Sequence, residues 1–456
     1  MTTAATPADP ADSRRPATTT AGLECNLCHG REVTVLSGRS RSGKPLRTVC
    51  CTGCGLVWSD PRPHDARRFY EDEYRLDYKQ TFEPRPRHVL RAGRVALDRA
   101  AKIRDLLARP RRALDIGSGG GEFAYLLATL GHDVHGVEPN RGYAQYAARE
   151  YGLDIQRGFV DEAELPEAGF DLVTIWHVLE HTEDPHAVLR RLRRALRPDG
   201  VLVVEVPNVE ATCQSPRSSF HEAHLYTFSP LTLEALARRA GLALRSCVLS
   251  DDGGNVTATF VRAAEPVPPG GSTGAPDGAS ADPSAAGTPA IGIPGHHARI
   301  AGIVARHTTW RHLLSAHPYR RLAGRVARAL DERRALPRQA SGRQILDALY
   351  APCVGRLAPP VAARPPARQS VRRPLRLWPA ALGAVALAVL AEETIVDRTV
   401  ALAPATDVGA LGVYVALQAA VIVALLGYVR RGAGGRSAYL KVAGLSVPLA
   451  LIPVYC

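Results

Sequence analysis

The sequence predicts an α/β protein in which a doubly wound, mostly parallel sheet ends in an antiparallel hairpin, with a cysteine module before it and apolar helices after it. Three observations carry that expectation. Apolar strand patterns alternate with helical periodicity across residues 85–263, which requires a parallel sheet covered on both faces. Two C-x-x-C pairs fall within residues 25–54. Long apolar runs close the chain after residue 376.

In chain order, residues 1–22 are mainly Ala, Thr, Pro and Asp and read as a disordered leader. Residues 23–84 hold the cysteine module and an aromatic-acidic segment. Cys25-Asn-Leu-Cys28 and Cys51-Thr-Gly-Cys54 are two knuckles with 22 residues between them. Four thiolates on two tight turns suit tetrahedral Zn²⁺, and a site filled by sulfur leaves no open position, so the zinc is structural. Gly30 and Gly55 stand where knuckles need a left-handed residue. Cys50, beside Cys51, is an alternative ligand, and disulfides are the competing use of these thiols.

The α/β part, residues 85–263, begins with a helix expected over 88–107. Strand 113–117, helix 121–130, strand 133–138, helix 141–151 and strands 154–157 and 170–176 follow. Helix 185–197 stops at Arg197-Pro-Asp-Gly200, a turn signal before strand 201–206. Helix 230–240 ends at Gly241, and runs 242–249 and 255–262 flank Asp251-Asp-Gly-Gly254 as a hairpin.

Residues 264–296, rich in Pro, Gly, Ser and Ala, read as a disordered linker. Between residues 297 and 376 stand 17 Arg, no Lys and 3 acids, a net +14 that accounts for the whole chain's +13. The positive charge therefore belongs to one segment and not to the α/β domain, which disfavours nucleic acid as its partner. Ile300, Ile303, Val304, Leu313, Leu314, Leu322, Val326 and Leu330 have the spacing of basic amphipathic helices that lie on an anionic membrane surface.

Residues 377–456 are expected to be a hydrophobic membrane anchor. Residues 408–429 are long enough to cross about 30 Å of hydrocarbon, while runs 377–391 and 442–456 are marginal. Arg372, Arg373 and Arg376 precede the first run, and Arg430, Arg431 and Arg436 follow the second, which places the catalytic domain on the cytoplasmic side.

The chemistry begins in the run Ala113-Leu-Asp-Ile-Gly-Ser-Gly-Gly-Gly-Glu-Phe123. Asp115 precedes a turn carrying Gly117, Gly119 and Gly121, and the next strand ends at Glu138, 21 residues after Gly117. A β-α-β unit of that spacing delivers a carboxylate to a ribose, so the cofactor is a nucleoside. A dinucleotide fingerprint would need glycine at position 122, where Glu122 stands.

These residues resemble motif I of class I S-adenosylmethionine-dependent methyltransferases, with a Rossmann-like sheet and an antiparallel terminal hairpin. Phe170-Asp-Leu-Val, Trp176-His-Val-Leu-Glu-His-Thr-Glu-Asp-Pro185 and Leu196-Arg-Pro-Asp-Gly-Val-Leu202 carry the resemblance further, over residues 23–263. It implies that Gly117, Gly119, Gly121, Asp115 and Glu138 hold S-adenosylmethionine. It also implies that Asp161, or failing it Glu162, meets the adenine amino group. The knuckle, the stretch Gly55-Leu-Val-Trp-Ser-Asp-Pro-Arg-Pro63 and the segment Phe69-Tyr-Glu-Asp-Glu-Tyr74 are similar to a subfamily that includes sugar and natural-product enzymes. There the N-terminal part helps close the active site. Tyr70, Tyr74 and Tyr78 share one helical face and serve either packing or a lid.

Strand ends face the ligand crevice in this fold, so His177, Glu180 and His181 start at the methyl group, on one helical turn. His221 and His224 follow strand 201–206 to the same crevice. Either a histidine is the general base, or Glu180, His181 and His224 hold a divalent metal that orients and acidifies an acceptor hydroxyl pair. The Glu-His pair resembles that of ubiquinone-type O-methyltransferases, from which His177 departs by replacing an acid. Glu180-His181 could instead hold the loop over the cofactor.

The expected function is methyl transfer to an O, C or N acceptor on a small molecule or a lipid- or sugar-type substrate. The alternatives are a non-catalytic membrane scaffold on the same fold, or an RNA or protein methyltransferase. No G-x-S-x-G elbow supports serine hydrolysis, and no Asn-Pro-Pro-Tyr-like motif supports a planar nitrogen acceptor.

Overall fold

The protein is described by a computed structural model over residues 18–20, 22, 24–60, 83–264, 292–335 and 340–357. Its chain divides into two units, Met1–Ala363 and Arg364–Cys456. The second unit lies wholly outside the described residues, and with it all three apolar runs of the expected anchor. Tyr70, Tyr74 and Tyr78 lie outside them too. Among the described residues no helix is long and apolar enough to cross a membrane.

Seven strands form the main sheet: β5 (Arg112–Ile116), β6 (Asp133–Glu138), β7 (Asp154–Arg157), β8 (Phe170–Trp176), β9 (Leu196–Pro207), β11 (Leu242–Leu249) and β12 (Asn255–Arg262). Their spatial order is β11-β12-β9-β8-β5-β6-β7. β7, β6, β5, β8 and β9 run parallel, while β12 pairs antiparallel with both β9 and β11. The order reverses between β5 and β8, which opens a crevice at their C-terminal ends.

Side chains alternate across the sheet. Leu202, Val204 and Val206 of β9 enter one core with helices α4 (Pro185–Ala195) and α5 (Pro230–Arg239). Val201 and Val203 enter the other, with α1 (Pro86–Lys102), α2 (Glu122–Thr129) and α3 (Arg141–Tyr151). The helix starts are set by local chemistry: Asn140 accepts from Tyr143 N–H and Asp184 from Ala187 N–H, each meeting one first-turn donor that lacks an intrahelical partner, and Ser229 with Thr232 forms a capping box.

The cysteine module is built into the same body. Its sheet runs β1 (Thr18–Thr20), β2 (Glu32–Arg39), β3 (Pro45–Cys51), β4 (Val57–Ser59), and is completed by β10 (Tyr226–Thr227) from the α/β domain. The leader is thus not wholly without structure, because Thr18–Thr20 pairs antiparallel with β2.

The first helix is shorter than expected. α1 stops at Lys102 and a 3₁₀ turn, Arg104–Leu107, completes the span. The linker likewise ends early, since Ile293 N–H donates to the Gly53 carbonyl at 3.1 Å and helix α6 starts at His296.

The Arg-rich segment forms α6 (His296–Arg306), α7 (Thr309–Leu313), α8 (His317–Ala335) and α9 (Gly342–Leu357). Its apolar residues divide. Ile300 and Leu313 are buried against the protein, whereas Leu314 and Leu322 are exposed. α9 packs on α1 so tightly that a Cβ at Gly93 would lie 2.5 Å from Leu346 Cδ2. Tyr350 from α9 donates to the Glu122 carbonyl at 2.8 Å, and Arg91 on α1 forms an ion pair with Glu332 on α8.

Candidate active site

The turn after β5 is shaped by backbone needs. Gly117, Gly119 and Gly121 have φ of +68°, +58° and +85°, and a Cβ at Gly117 would lie 2.2 Å from Val178 Cγ2. Glu138, buried at the end of β6, accepts from Gly119 N–H at 2.8 Å and Asn140 N–H at 3.0 Å. One carboxylate therefore pins the glycine turn to the next strand end, and Glu138 also lines the cavity beside that turn. Asp115 accepts from Thr174 Oγ1 at 2.7 Å, and burial, only partly offset by that bond, raises its pKa to about 7.

A cavity of about 880 Å³ lies over this turn, and Glu138, Asp161, His177, Glu180, His181 and His224 all line it. Asp161 lines it as an exposed residue. Of the expected cofactor and catalytic residues, Asp115, Gly117, Gly119, Glu138, Asp161, His177, Glu180, His181 and His224 share this space, while Gly121 shapes the turn without lining it.

His177 does not lie on one helical turn with Glu180 and His181. Only Leu179–His181 is helical, as a 3₁₀ turn, and His177 sits before it at φ +56°. That strained residue is held from two sides: Nδ1 lies 3.2 Å from Glu180 Oε1, and Nε2 lies 3.4 Å from Glu205 Oε1. Burial opposes its charge, but the two carboxylates outweigh burial and raise its pKa to about 9. His177 is therefore a cationic donor at neutral pH rather than a base. Glu205 is further held by Lys102 Nζ at 2.6 Å, Thr257 Oγ1 at 2.8 Å and Arg99 Nε at 3.4 Å. Burial would raise the Glu205 pKa; bonds from His177 and Lys102 lower it instead.

Glu180 is fully buried, and its Oε2 has no hydrogen-bond partner among the described residues. A buried, unmatched carboxylate oxygen costs free energy unless a cation or donor meets it. His181 Nδ1 lies 2.7 Å from the Ala223 carbonyl, which fixes the proton on Nδ1 in the neutral ring and leaves Nε2 as an acceptor. The His181 and His224 rings meet edge to face at 4.8 Å, and His221 stacks on His224. Burial, then the neighbouring His181 and His221, holds His224 well below the ordinary imidazole range. Ligand atoms of Glu180, His181 and His224 all lie within 4.8 Å of one another, a donor set that fits a divalent cation.

The four cysteine sulfurs also lie within 4.8 Å of one another and are buried. Cys25 and Cys54 Sγ are 3.5 Å apart, and Cys28 and Cys51 Sγ 3.3 Å. Hydrogen bonds among them lower Cys28 and Cys51 and raise Cys25 and Cys54. Cys50 is excluded from this set. Strand alternation turns it into a separate apolar cluster with Leu46, Val57 and Phe220. The left-handed knuckle residues are His29 at φ +60° and Gly55 at φ +78°, not Gly30.

Sequence reasoning missed Glu205, Arg99, Lys102 and Arg41, the last of which reaches the cavity from the β2–β3 hairpin. One signal was present: an acid, Glu205, inside the otherwise apolar run Val201-Leu-Val-Val-Glu-Val206.

A family profile described as a methyltransferase domain matches residues 87–246. A ubiquinone biosynthesis O-methyltransferase of Azorhizobium caulinodans is 38% identical over 102 residues, 21% of this chain and 40% of the relative. That of Paraburkholderia phymatum is 30% identical over 145 residues, 30% of this chain and 60% of the relative. The chain thus spans about half the length of these curated relatives. Among solved structures, a 1,6-didemethyltoxoflavin-N1-methyltransferase of Burkholderia thailandensis is 23% identical, covering 46% of this chain and 96% of that one with a TM-score of 0.34. The parallel sheet, the pinned glycine turn and the profile match agree in identifying residues 87–246 as a methyltransferase domain.

Proposed function

We propose that this protein transfers the methyl group of S-adenosylmethionine to a nucleophilic atom of a small-molecule acceptor in the cavity over the glycine turn. The observation that carries the reading is that Glu138 and the Glu180–His181–His224 cluster line one and the same cavity. Glu138 would bind the ribose hydroxyls and Asp161 the adenine amino group. Methyl transfer itself needs mainly in-line alignment of nucleophile, carbon and sulfur. His181 Nε2 is the nitrogen suited to take the acceptor's proton, while His177 supplies a positive charge to the same cavity.

A divalent cation on Glu180, His181 and His224 is the second reading, favoured by the unmatched Glu180 Oε2. Such an ion would acidify an adjacent hydroxyl pair. The Cys25, Cys28, Cys51 and Cys54 cluster is proposed to hold structural Zn²⁺, which would tie β10 and the acceptor loop to the module.

The arginine excess and the apolar runs after residue 376 support attachment to an anionic membrane with the catalytic domain on the cytoplasmic side. A lipid-linked, sugar or natural-product acceptor would suit that place. A scaffold role, or an RNA or protein acceptor, is the rival that failure of cofactor binding or salt-sensitive RNA binding would favour.

The test is calorimetric titration of S-adenosylmethionine and S-adenosylhomocysteine into the full chain, with NAD as control. Micromolar binding, silence toward NAD and a loss of about a hundred-fold in Glu138→Ala are expected, since two charge-assisted hydrogen bonds disappear. A folded chain that binds neither compound would overturn the reading.

A further inference from the structure

The short helix α7 and the residue after it present an apolar pair to solvent. Leu314 is 85% exposed and Trp310 65%, the two most exposed large apolar side chains among the described residues. Thr308 caps the turn by accepting from Arg311 N–H, and Leu314 N–H donates to the Trp310 carbonyl at 3.0 Å. The two side chains are therefore neighbours, four apart on one helical face. His312 and Leu313, between them, are buried instead. A single exposed leucine is ordinary, but an indole and a leucine side by side on a formed turn mark a contact surface.

The chain on either side of that pair is cationic. Residues 297–330 contain seven arginines and no Asp or Glu. Arg299 is paired with Glu210 at 2.9 Å, whereas Arg306, Arg311, Arg320 and Arg325 are exposed and form no ion pair among the described residues. An apolar protein face would leave those charges unmet. An anionic bilayer meets both features, since indole and leucine enter the interface while guanidinium groups stay among the headgroups.

The patch is also fixed to the α/β domain and the cysteine module. His296 Nε2 lies 2.8 Å from Ser229 Oγ, His297 Nε2 2.9 Å from Thr34 Oγ1, and His312 Nδ1 3.3 Å from the Thr212 carbonyl. Tyr319 OH donates to the Leu313 carbonyl at 2.9 Å, which ties α8 to the same turn. A surface bound here orients the domain itself, which a flexible tether cannot do.

We propose, resting on the membrane attachment proposed above, that Trp310 and Leu314 form a wedge that enters the headgroup region of an anionic bilayer, with Arg306 and Arg311 pairing with lipid phosphates. Contact through this one turn replaces the expectation of whole helices lying on the leaflet, because Ile300 and Leu313 are used in packing.

The test reads Trp310 in the full chain, as the emission of each protein minus that of its Trp310→Phe partner. The chain is measured alone and reconstituted with vesicles of phosphatidylcholine, or of phosphatidylcholine mixed with phosphatidylglycerol, with and without acyl-brominated lipid. Flotation comes first: a folded chain that floats with neither vesicle sinks the membrane reading as a whole. In a chain that floats, the Trp310 signal should shift to the blue and be quenched by brominated lipid when phosphatidylglycerol is present, and much less without it. Leu314→Glu should abolish that shift, as should Arg306→Glu combined with Arg311→Glu. Leu249→Glu, at an exposed leucine of β11, should leave it intact.

A chain that floats with unchanged Trp310 emission overturns the proposal and leaves membrane attachment standing. A Trp310 signal already blue without lipid and never quenched overturns it too, and shows that a second copy or another segment covers the turn. Equal quenching in both vesicles, or a shift that survives either set of substitutions, does the same.

Discussion

On the function proposed above, the cofactor and acceptor parts of the cavity are built by different physics. The cofactor end is made by backbone: three left-handed glycines, and one carboxylate that gathers two peptide N–H groups from neighbouring strand ends. The acceptor end is made by side chains from the β2–β3 hairpin, the 179–181 turn and the 221–224 loop, braced by a charge network from α1, β9 and β12. Backbone geometry depends on a short stretch of chain and transfers between proteins intact. A side-chain assembly depends on every element that delivers a member, so it can be retuned or broken from far away.

The largest expected effect separates the ends outright. With the proposed zinc on Cys25, Cys28, Cys51 and Cys54, chelation or the substitution Cys54→Ser should release the module, since binding energy at a structural zinc site is folding energy of about 10 kcal/mol. Acceptor turnover should fall more than about a hundred-fold, because β10 and the Arg41 hairpin lose their frame. S-adenosylhomocysteine affinity should move only a few-fold. Measuring metal content, turnover and affinity on one sample checks this, and a parallel collapse of cofactor affinity would show that the ends are not separable.

The converse perturbation is Gly117→Ala. A β-carbon at φ +68°, 2.2 Å from Val178 Cγ2, should cost about 2 kcal/mol of stability and weaken cofactor binding while zinc content stays constant. Thermal unfolding with and without S-adenosylhomocysteine reads both quantities. Glu205→Ala should act between the ends. It leaves Arg99 and Lys102 unpaired and removes one of the two carboxylates holding His177, at a cost of about 2 kcal/mol because both cations remain partly accessible. Turnover should fall further than affinity for the cofactor, and equal losses in both would argue that the network is structural alone.

The same division decides what could be read from the sequence. Gly117, Gly119, Gly121 and Glu138 were legible because strand, turn, helix and strand are consecutive, and their spacing is fixed by the unit itself. Strands β6, β7, β8, β11 and β12 fell at their expected bounds for the same local reason. Cys51 and Cys50 were ambiguous as ligands until pairing with β2 and β4 set which face each side chain takes. His29 took the left-handed position expected of Gly30, since the knuckle turn is closed by His29 N–H to the Cys25 carbonyl. Arg41 and Glu205 were not legible as site residues. Arg41 stands 180 residues before His221 in sequence, and only the docking of the module on the acceptor loop brings them together.

The smallest effect tests the cofactor end by proton linkage. Asp115 has a folded pKa of about 7 because burial disfavours its charge, against an ordinary value of 3.8 when unfolded. Between those values the folded state holds more protons than the unfolded state, so this residue makes stability fall as pH rises from about 4 to 7. Asp115→Asn should remove that dependence and raise the unfolding temperature at pH 8 relative to the wild type. A cationic cofactor arriving in the cavity favours ionised Asp115, so binding near pH 6.5 should release a fraction of a proton. Calorimetry in buffers of different ionisation enthalpy measures that release directly. Wild-type release that disappears in Asp115→Asn would tie this buried carboxyl to the cofactor's positive charge; equal release in both proteins would assign the proton elsewhere and leave Asp115 a strand-end brace for Thr174.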